Sequence, residues 1–380
     1  MPLPTYAEFF AGGGMVRAGL GDSWRCVLAN DIDPAKCEAY RANWGSDHLI
    51  EGDVAQLDPR SLQRSIDLYW ASSPCQDFSL AGKGAGLAGG RSGIFSDWMK
   101  IFEVARVSGF APKLVAFENV TGLVSRNKGR DFSEVLCAFI RQGYRIGAVE
   151  INAEHFLPQS RPRVFVIAAH NDLTIADHLI RPEPSLPFHS KGIQTFLKSA
   201  APDIKQSWIW WNLALPGKRT TRLADLLDFS PQNDWMTESQ MARLLSLMSE
   251  VNVRKLKLVQ SQRGTHIGTV YKRGRPDSNG IVRQRAEVRF DGVAGCLRTP
   301  AGGSSRQTLL IVGDGQIKGR LLSAREAVRL MGLDDSYQLS NSYNKSYKLA
   351  GDGVAVPVVR HLSRFLLQPL IGGTLAAKVA

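Results

Sequence analysis

Cys75, in the run Ser73-Pro74-Cys75-Gln76, and Glu118, 43 residues further on in Glu118-Asn119-Val120, supply a thiolate nucleophile and a carboxylic acid. A glycine-rich turn, Phe10-Ala11-Gly12-Gly13-Gly14, precedes both, and Gln159-Ser160-Arg161-Pro162-Arg163 follows them. The order reads as cofactor loop, nucleophile, acid and clamp. On a cytosine ring, a thiolate adding to C6 drives negative charge towards N3, where a carboxylic acid that keeps its proton can meet it. An arginine donating to O2 does the complementary half. C5 then becomes an enamine carbon able to take a methyl group from a sulfonium. Loss of the C5 proton and expulsion of the thiol restore aromaticity.

These groups need elements that bring them to one edge. Up to about residue 170, short apolar strands (Arg25–Ala29, Leu68–Trp70, Leu114–Phe117, Arg163–Ala168) alternate with helical segments, which predicts a parallel, doubly wound sheet. In such sheets ligands bind beyond the carboxyl ends of strands. The glycine turn falls between a first strand and a first helix, where the backbone can approach a cofactor. Asp31, in Asn30-Asp31-Ile32-Asp33, follows the second strand and can accept from ribose hydroxyls. Asp53, with Val54, follows a third strand and can receive an adenine amino group. A nicotinamide or an adenosylmethionine cofactor satisfies this pattern, and helix capping would also use these acids. Pro74 and Cys75 lie beyond one strand, Glu118 beyond another, and Arg161 and Arg163 open a further strand in the same arrangement. Between Leu80 and Gly93 stand six glycines with Lys83 and Arg91, a composition suited to a mobile lid that touches phosphates.

The 380 residues predict one large domain and a smaller second one. No stretch approaches the roughly 20 apolar residues of a membrane span, and the start lacks the pattern of an export signal, so a cytoplasmic protein is expected. The five cysteines are scattered and never spaced CxxC, which argues against a disulfide framework or a zinc site and leaves room for one reactive thiol. The net charge is +12, and residues 251–290 hold ten basic side chains against two acidic. A solvated basic loop would account for this. A nucleic-acid groove accounts for more, because the basic stretch interleaves with strand-like segments and runs into a polar turn between Arg298 and Arg306. From residue 173 the αβ rhythm breaks into proline-rich and tryptophan-rich segments, a helical run near 237–250 and the basic β-like stretch. After Leu309–Val312 the pattern reads as a return to the first domain.

With these motifs in this order, the chain resembles the DNA (cytosine-5) methyltransferase family, of the bacterial type, over residues 5–170 and 310–365. The resemblance implies a Rossmann-like α/β fold, S-adenosylmethionine-dependent, with residues 1–172 as catalytic and cofactor-binding domain. Residues 173–312 would be an inserted target-recognition domain and 313–380 the return to the catalytic domain. It implies Cys75 as nucleophile, Glu118 at N3, Asn119 bracing the nucleophile loop, and Arg161 and Arg163 holding the pyrimidine. Phe10, Gly12, Gly14, Asp31, Ile32, Asp53, Val54, Pro74 and Gly353 would line the cofactor pocket. Gln76, Ser79, Lys83, Arg91, Arg298 and Arg306 would meet double-stranded DNA around an extruded base. Arg320 to Gly332 looks like the helix that follows the recognition domain in this family. The last motif departs from the family's Gly-Asn pattern, with Asp352 after Gly351, and Ile32 stands where an aromatic often stacks on adenine. No metal is implied; a monomer is, and a cognate restriction endonuclease on the same site is a further expected partner. RNA cytosine-5 methylation, a catalytically silent DNA-binding regulator and a nicotinamide oxidoreductase are the competing readings. The first is disfavoured by the size of the basic insert, and the others leave Cys75, Glu118 and Arg163 without purpose together.

Overall fold

A computed structural model describes residues 2–62, 64–74, 93–230, 234–277, 279–298, 306–313 and 315–372. The chain forms two compact units. One comprises residues 1–152, 162–216 and 356–380, the other residues 153–161 and 217–355.

The first unit is built on seven strands: β1 (Thr5–Phe9), β2 (Arg25–Asp31), β3 (Leu49–Glu51), β4 (Leu68–Ser72), β5 (Leu114–Val120), β6 (Tyr144–Asn152) and β7 (Pro162–His170). Their order in the sheet is β3-β2-β1-β4-β5-β7-β6. Six strands run in one direction, and β7, between β5 and β6, runs antiparallel to both. The expected all-parallel sheet is therefore corrected to a mixed one. The physical reason is the link from β6 to β7, Ala153–Arg161, which is too short for the crossover that a parallel neighbour demands.

Consecutive residues of β1, β4 and β5 are buried, because both faces of the sheet are covered. On one face Phe9, Tyr69 and Phe117 pack against Trp98, Phe102 and Phe139 from the helices Ile94–Val107 and Arg130–Arg141. On the other, Tyr6 meets Trp24, and Trp70 meets Phe165 edge to face. The helix Val356–Leu362 returns to this unit, where Val359 occupies the space a side chain at Gly19 would need.

The tryptophan-rich stretch also belongs here. Strands β8 (Ile180–Arg181) and β9 (Trp210–Trp211) pair, and Trp211 is fully buried with its Nε1 donating to the Ile167 carbonyl at 3.2 Å. A boundary between the compact units falls after Pro216, because this indole is seated on β7 and against Gly147 of β6.

The second unit carries an antiparallel sheet, β11-β10-β12-β13, of β10 (His266–Pro276), β11 (Val282–Arg289), β12 (Thr308–Gly313) and β13 (Gln316–Leu321). The helical run near 237–250 resolves into two helices, Glu238–Ser246 and Glu250–Gln260, the first started by a capping box between Thr237 and Gln240. Their apolar faces, with Met241, Leu244, Leu256 and Val259, cover Val270, Val288, Leu310 and Val312 of the sheet. The chain returns to the first compact unit at Val356. Before that return, Arg320 and Glu326 form a buried ion pair at 2.5 Å that also takes the Asp228 carbonyl and amide.

Candidate active site

Sheet register brings the site residues to one edge. Phe9 pairs with Ala71 and Ser72 with Glu118, so the ends of β1 and β4 lie within one residue of each other and beside Glu118 of β5. Adjacent strands lie about 4.8 Å apart, which sets the cofactor turn after β1 roughly 10 Å from the end of β5.

The turn after β1 is held in backbone conformations that most residues avoid. Phe10, Gly12 and Gly14 have φ of 59°, 57° and 78°. Asp31, at the end of β2, fixes the turn: its carboxylate accepts from the Gly12 amide and the Asp33 amide, both at 2.8 Å. Asp33 in turn caps the helix Pro34–Trp44 by accepting from the amides of Ala35 and Lys36. A side chain at Gly12 would meet nothing within 4 Å, whereas one at Gly14 would collide with the Trp44 indole. The two glycines therefore serve different ends: Gly12 faces open space, and Gly14 makes room for Trp44, whose Nε1 donates to the Gly13 carbonyl at 3.0 Å.

Ile32 is 61% exposed beside Asp31, an apolar platform at the strand end. Asp53 and Val54 follow β3, with Asp53 accepting from the Ala55 amide and Val54 buried. Open space at Gly12, two carboxylates and an exposed aliphatic side chain fit a ligand with a polar tail, ribose hydroxyls and a flat base. Glu8 lies behind this cradle, fully buried, with neither carboxylate oxygen bonded to a described residue. Burial pushes its carboxyl well above the usual range, opposed by Arg17 and reinforced by Asp31. Nothing in the local sequence marks Glu8 as lying behind this cradle. Trp44 had no local signal, being 30 residues beyond the turn it supports.

Glu118 and Arg163 meet: Arg163 Nε lies 3.0 Å from Glu118 Oε1, and the two side chains are 15% and 8% exposed. The antiparallel direction of β7 makes this possible. Arg163 is near the start of its strand yet pairs with Val120, so it stands at the carboxyl edge of β5. Glu118 lies inside β5 rather than beyond its end, as expected from sequence. Next to it, Asn119 Nδ2 donates to the Ser73 carbonyl at 3.0 Å, and its Oδ1 accepts from the Val120 amide at 2.9 Å. Asn119 is 3% exposed, and its bond ties β5 to the residue before Pro74, which is exposed.

Cys75, Gln76, Ser79, Lys83 and Arg91 lie outside the described residues. Among the other four cysteines, burial raises the thiols of Cys26 and Cys137 and pushes Cys37 up to about 12, so none of these three is activated.

The expectation that Arg161 holds a pyrimidine is corrected. Its side chain is buried in the second unit, where the guanidinium donates to the carbonyls of Leu297 at 3.2 Å, Gly351 at 2.9 Å and Gly353 at 2.5 Å. Those bonds leave it as a brace for the last motif, with Gly353 as one of its acceptors. Gln159 is likewise buried and donates to the Leu330 carbonyl at 2.6 Å. Arg298 is exposed in the second unit, and Arg306 lies over the Tyr343 ring and bonds Asn344. Among the described residues no group of three or more acidic, histidine or cysteine side chains could hold a metal ion.

A family model of C-5 cytosine-specific DNA methylases matches residues 5–368. The Type II methyltransferase M.HhaI of Haemophilus parahaemolyticus is 27% identical over 360 residues, 94% of this chain and 92% of its own. The Type II methyltransferase M.NlaIV of Neisseria lactamica is 24% identical over 427 residues, covering 96% and 99%. Among solved structures, the Dnmt2 methyltransferase of S. pombe shares the fold with a TM-score of 0.56 at 19% identity, over 97% of this chain and 99% of its own.

Proposed function

The chain belongs to the C-5 cytosine-specific DNA methylase family, and from that premise we propose how its own residues divide the transfer of a methyl group from S-adenosylmethionine to C5 of cytosine. When bound, S-adenosylmethionine supplies the electrophilic methyl on its sulfonium. Gly12 and Phe10 shape the turn that receives its polar end, Asp31 and Asp53 accept from its hydroxyls and amino group, and Ile32 and Val54 face its base. Ile32 gives contact without the stacking of an aromatic ring.

A base inside a duplex hides C6 and C5, so the target cytosine is extruded before reaction. Cys75 adds to C6 while Glu118 donates a hydrogen bond at N3, and Arg163 holds the Glu118 carboxyl in place. Asn119 keeps the chain ahead of Cys75 against the sheet. Pro74 covers the cofactor side, and Gln76, Ser79, Lys83 and Arg91 follow as DNA contacts of the closing loop. Arg161 acts on this account as a brace rather than a clamp. The observation that carries the reading is the edge geometry in which Asn119 grips Ser73 and Arg163 grips Glu118.

Trapping tests it. On duplexes containing 5-fluorocytosine the ring adduct cannot lose its C5 substituent as a proton, so the covalent complex persists. The wild-type chain with S-adenosylmethionine gives a denaturant-stable complex and Cys75→Ser gives none; a complex that survives in Cys75→Ser overturns the assignment.

Specificity is placed in residues 173–312, in the part from 217 onward that packs in the second unit, with Arg298 and Arg306 among the contacts. Relatives include proteins named Type II and proteins named orphan methyltransferases. A cognate restriction endonuclease, action as a monomer and a place in the cytoplasm with its DNA complete the proposal. No helix among the described residues is long and apolar enough to cross a membrane.

A further inference from the structure

Strand β10 pairs with β12 only over His266–Val270, but with β11 over Thr269–Pro276. From Tyr271 onward the hairpin is thus a two-stranded ribbon, with no third strand beside it among the described residues. Register places Arg273 directly opposite Arg285 and Arg275 directly opposite Arg283. Side chains alternate along a strand and opposed residues share a face, so all four guanidinia emerge from one side of the ribbon.

That arrangement opposes the hairpin's own stability, since like charges directly opposite across an antiparallel pair repel. Two carboxylates relieve it in part. Glu287 takes Arg275 at 2.7 Å and Arg273 at 3.5 Å, and Asp277 takes Arg283 at 2.7 Å. Residues 271–287 still carry five basic side chains against two acidic. Beyond Tyr271 both strands are edges, and a charge on either would protect it from pairing, but that need does not call for arginines set directly opposite one another, where they repel. A polyanion lying along the ribbon accounts for both rows.

We propose that this face of the β10–β11 ribbon, with Arg273, Arg275, Arg283 and Arg285, grips the phosphate backbone of the DNA substrate. The inference rests on the DNA methyltransferase reading and assigns this surface to backbone positioning, not base readout. A two-stranded ribbon is narrow enough to enter a major groove about 12 Å wide, and phosphate contacts there fix register without reading sequence. The exposed Ile281 and Val282 stand at the turn and first strand residue of this ribbon.

The experiment compares the full chain with the double variant Arg283→Gln/Arg285→Gln, measuring binding of a mixed-sequence duplex by anisotropy across salt concentrations. Each lost phosphate contact removes about 0.9 from the slope of log K against log salt, so the double variant loses about 1.8. The methylated site stays as in the wild type, and Arg283→Lys/Arg285→Lys restores the slope because phosphate accepts either charge. An unchanged slope, with or without aggregation of the Gln variant, overturns the proposal. So does a relaxed methylation site that lysine fails to rescue, which marks base contacts. Wild-type protein that shows the slope effect but methylates no DNA contradicts the enzymatic reading while leaving the ribbon standing.

Discussion

Replacing Asn119 with alanine separates a structural tie from a catalytic one. Asn119 is 3% exposed and satisfies two main-chain groups, the Ser73 carbonyl and the Val120 amide. An unsatisfied buried group costs about 1–3 kcal/mol. Ser73 is 5% exposed and bears the full penalty, whereas Val120 is half-buried and can recruit water. The sum is about 1–4 kcal/mol of stability, read as a lower urea midpoint. The larger effect falls on rate. Cys75 is two residues beyond Ser73, and a displacement of about 1 Å at a reacting group can cost about 100-fold. Single-turnover methyl transfer should fall by about that factor, with KM for S-adenosylmethionine nearly unchanged because the cradle rests on β1 and β2. Asn119→Asp keeps the acceptor for Val120 but turns a carboxylate oxygen towards the Ser73 carbonyl, and should lose rate without restoring it. Turnover within twofold of wild type in Asn119→Ala, whatever its stability, would refute the reasoning.

Other outcomes follow from the same geometry. Gly12→Ala places a methyl group into the open cradle at φ of 57°, a conformation costing about 1–2 kcal/mol; KM for S-adenosylmethionine should rise at least tenfold while DNA binding is retained, and unchanged KM would show the cradle lies elsewhere. Arg163→Ala removes the group that holds the nearly buried Glu118 carboxyl in place, so kcat should drop by two orders of magnitude or more, measured by labelled methyl incorporation, and near-normal kcat would count against its role. Glu8 carries the pH prediction. Its folded carboxyl is raised, so the stability tied to its protonated form is present below the ordinary value of 4.5 and lost as pH rises through the raised one. Urea midpoints of Glu8→Gln should exceed wild type increasingly from acid to alkaline pH; a constant difference would mean that Glu8 is already paired. Exchanging the recognition segment for that of a relative should move the methylated site, and bisulfite reads of the chimera would show an unchanged site if specificity sits elsewhere.

The strand ends were legible because each motif sits within a few residues of an apolar run: Asp31 at the end of β2, Asp53 after β3, Glu118 in β5. What the local pattern could not carry was strand direction. Nothing in Arg163–Ala168 marks it as antiparallel, yet that direction alone brings Arg163 level with Val120 and onto Glu118. Arg161 and Arg163 look equivalent in sequence, and only long-range packing separates them, one against carbonyls of residues 297–353 and the other against β5. The edges of the compact units are set by similar long-range packing. Trp211 sits in a stretch whose composition differs from the sheet's, but its burial against Ile167 depends on a partner 44 residues away. The Arg–Arg pairs of the ribbon were visible as charge and not as opposition, since register is fixed by the turn at Asp277 rather than by the count of basic residues.

Bisulfite sequencing of plasmid DNA from a methylation-free host expressing the chain, with Cys75→Ala as control, tests the central claim most directly. The account predicts protected cytosines in one recurring sequence context with the wild-type chain and none with the variant. Full conversion of every cytosine in both, or protection that persists in Cys75→Ala, would contradict it.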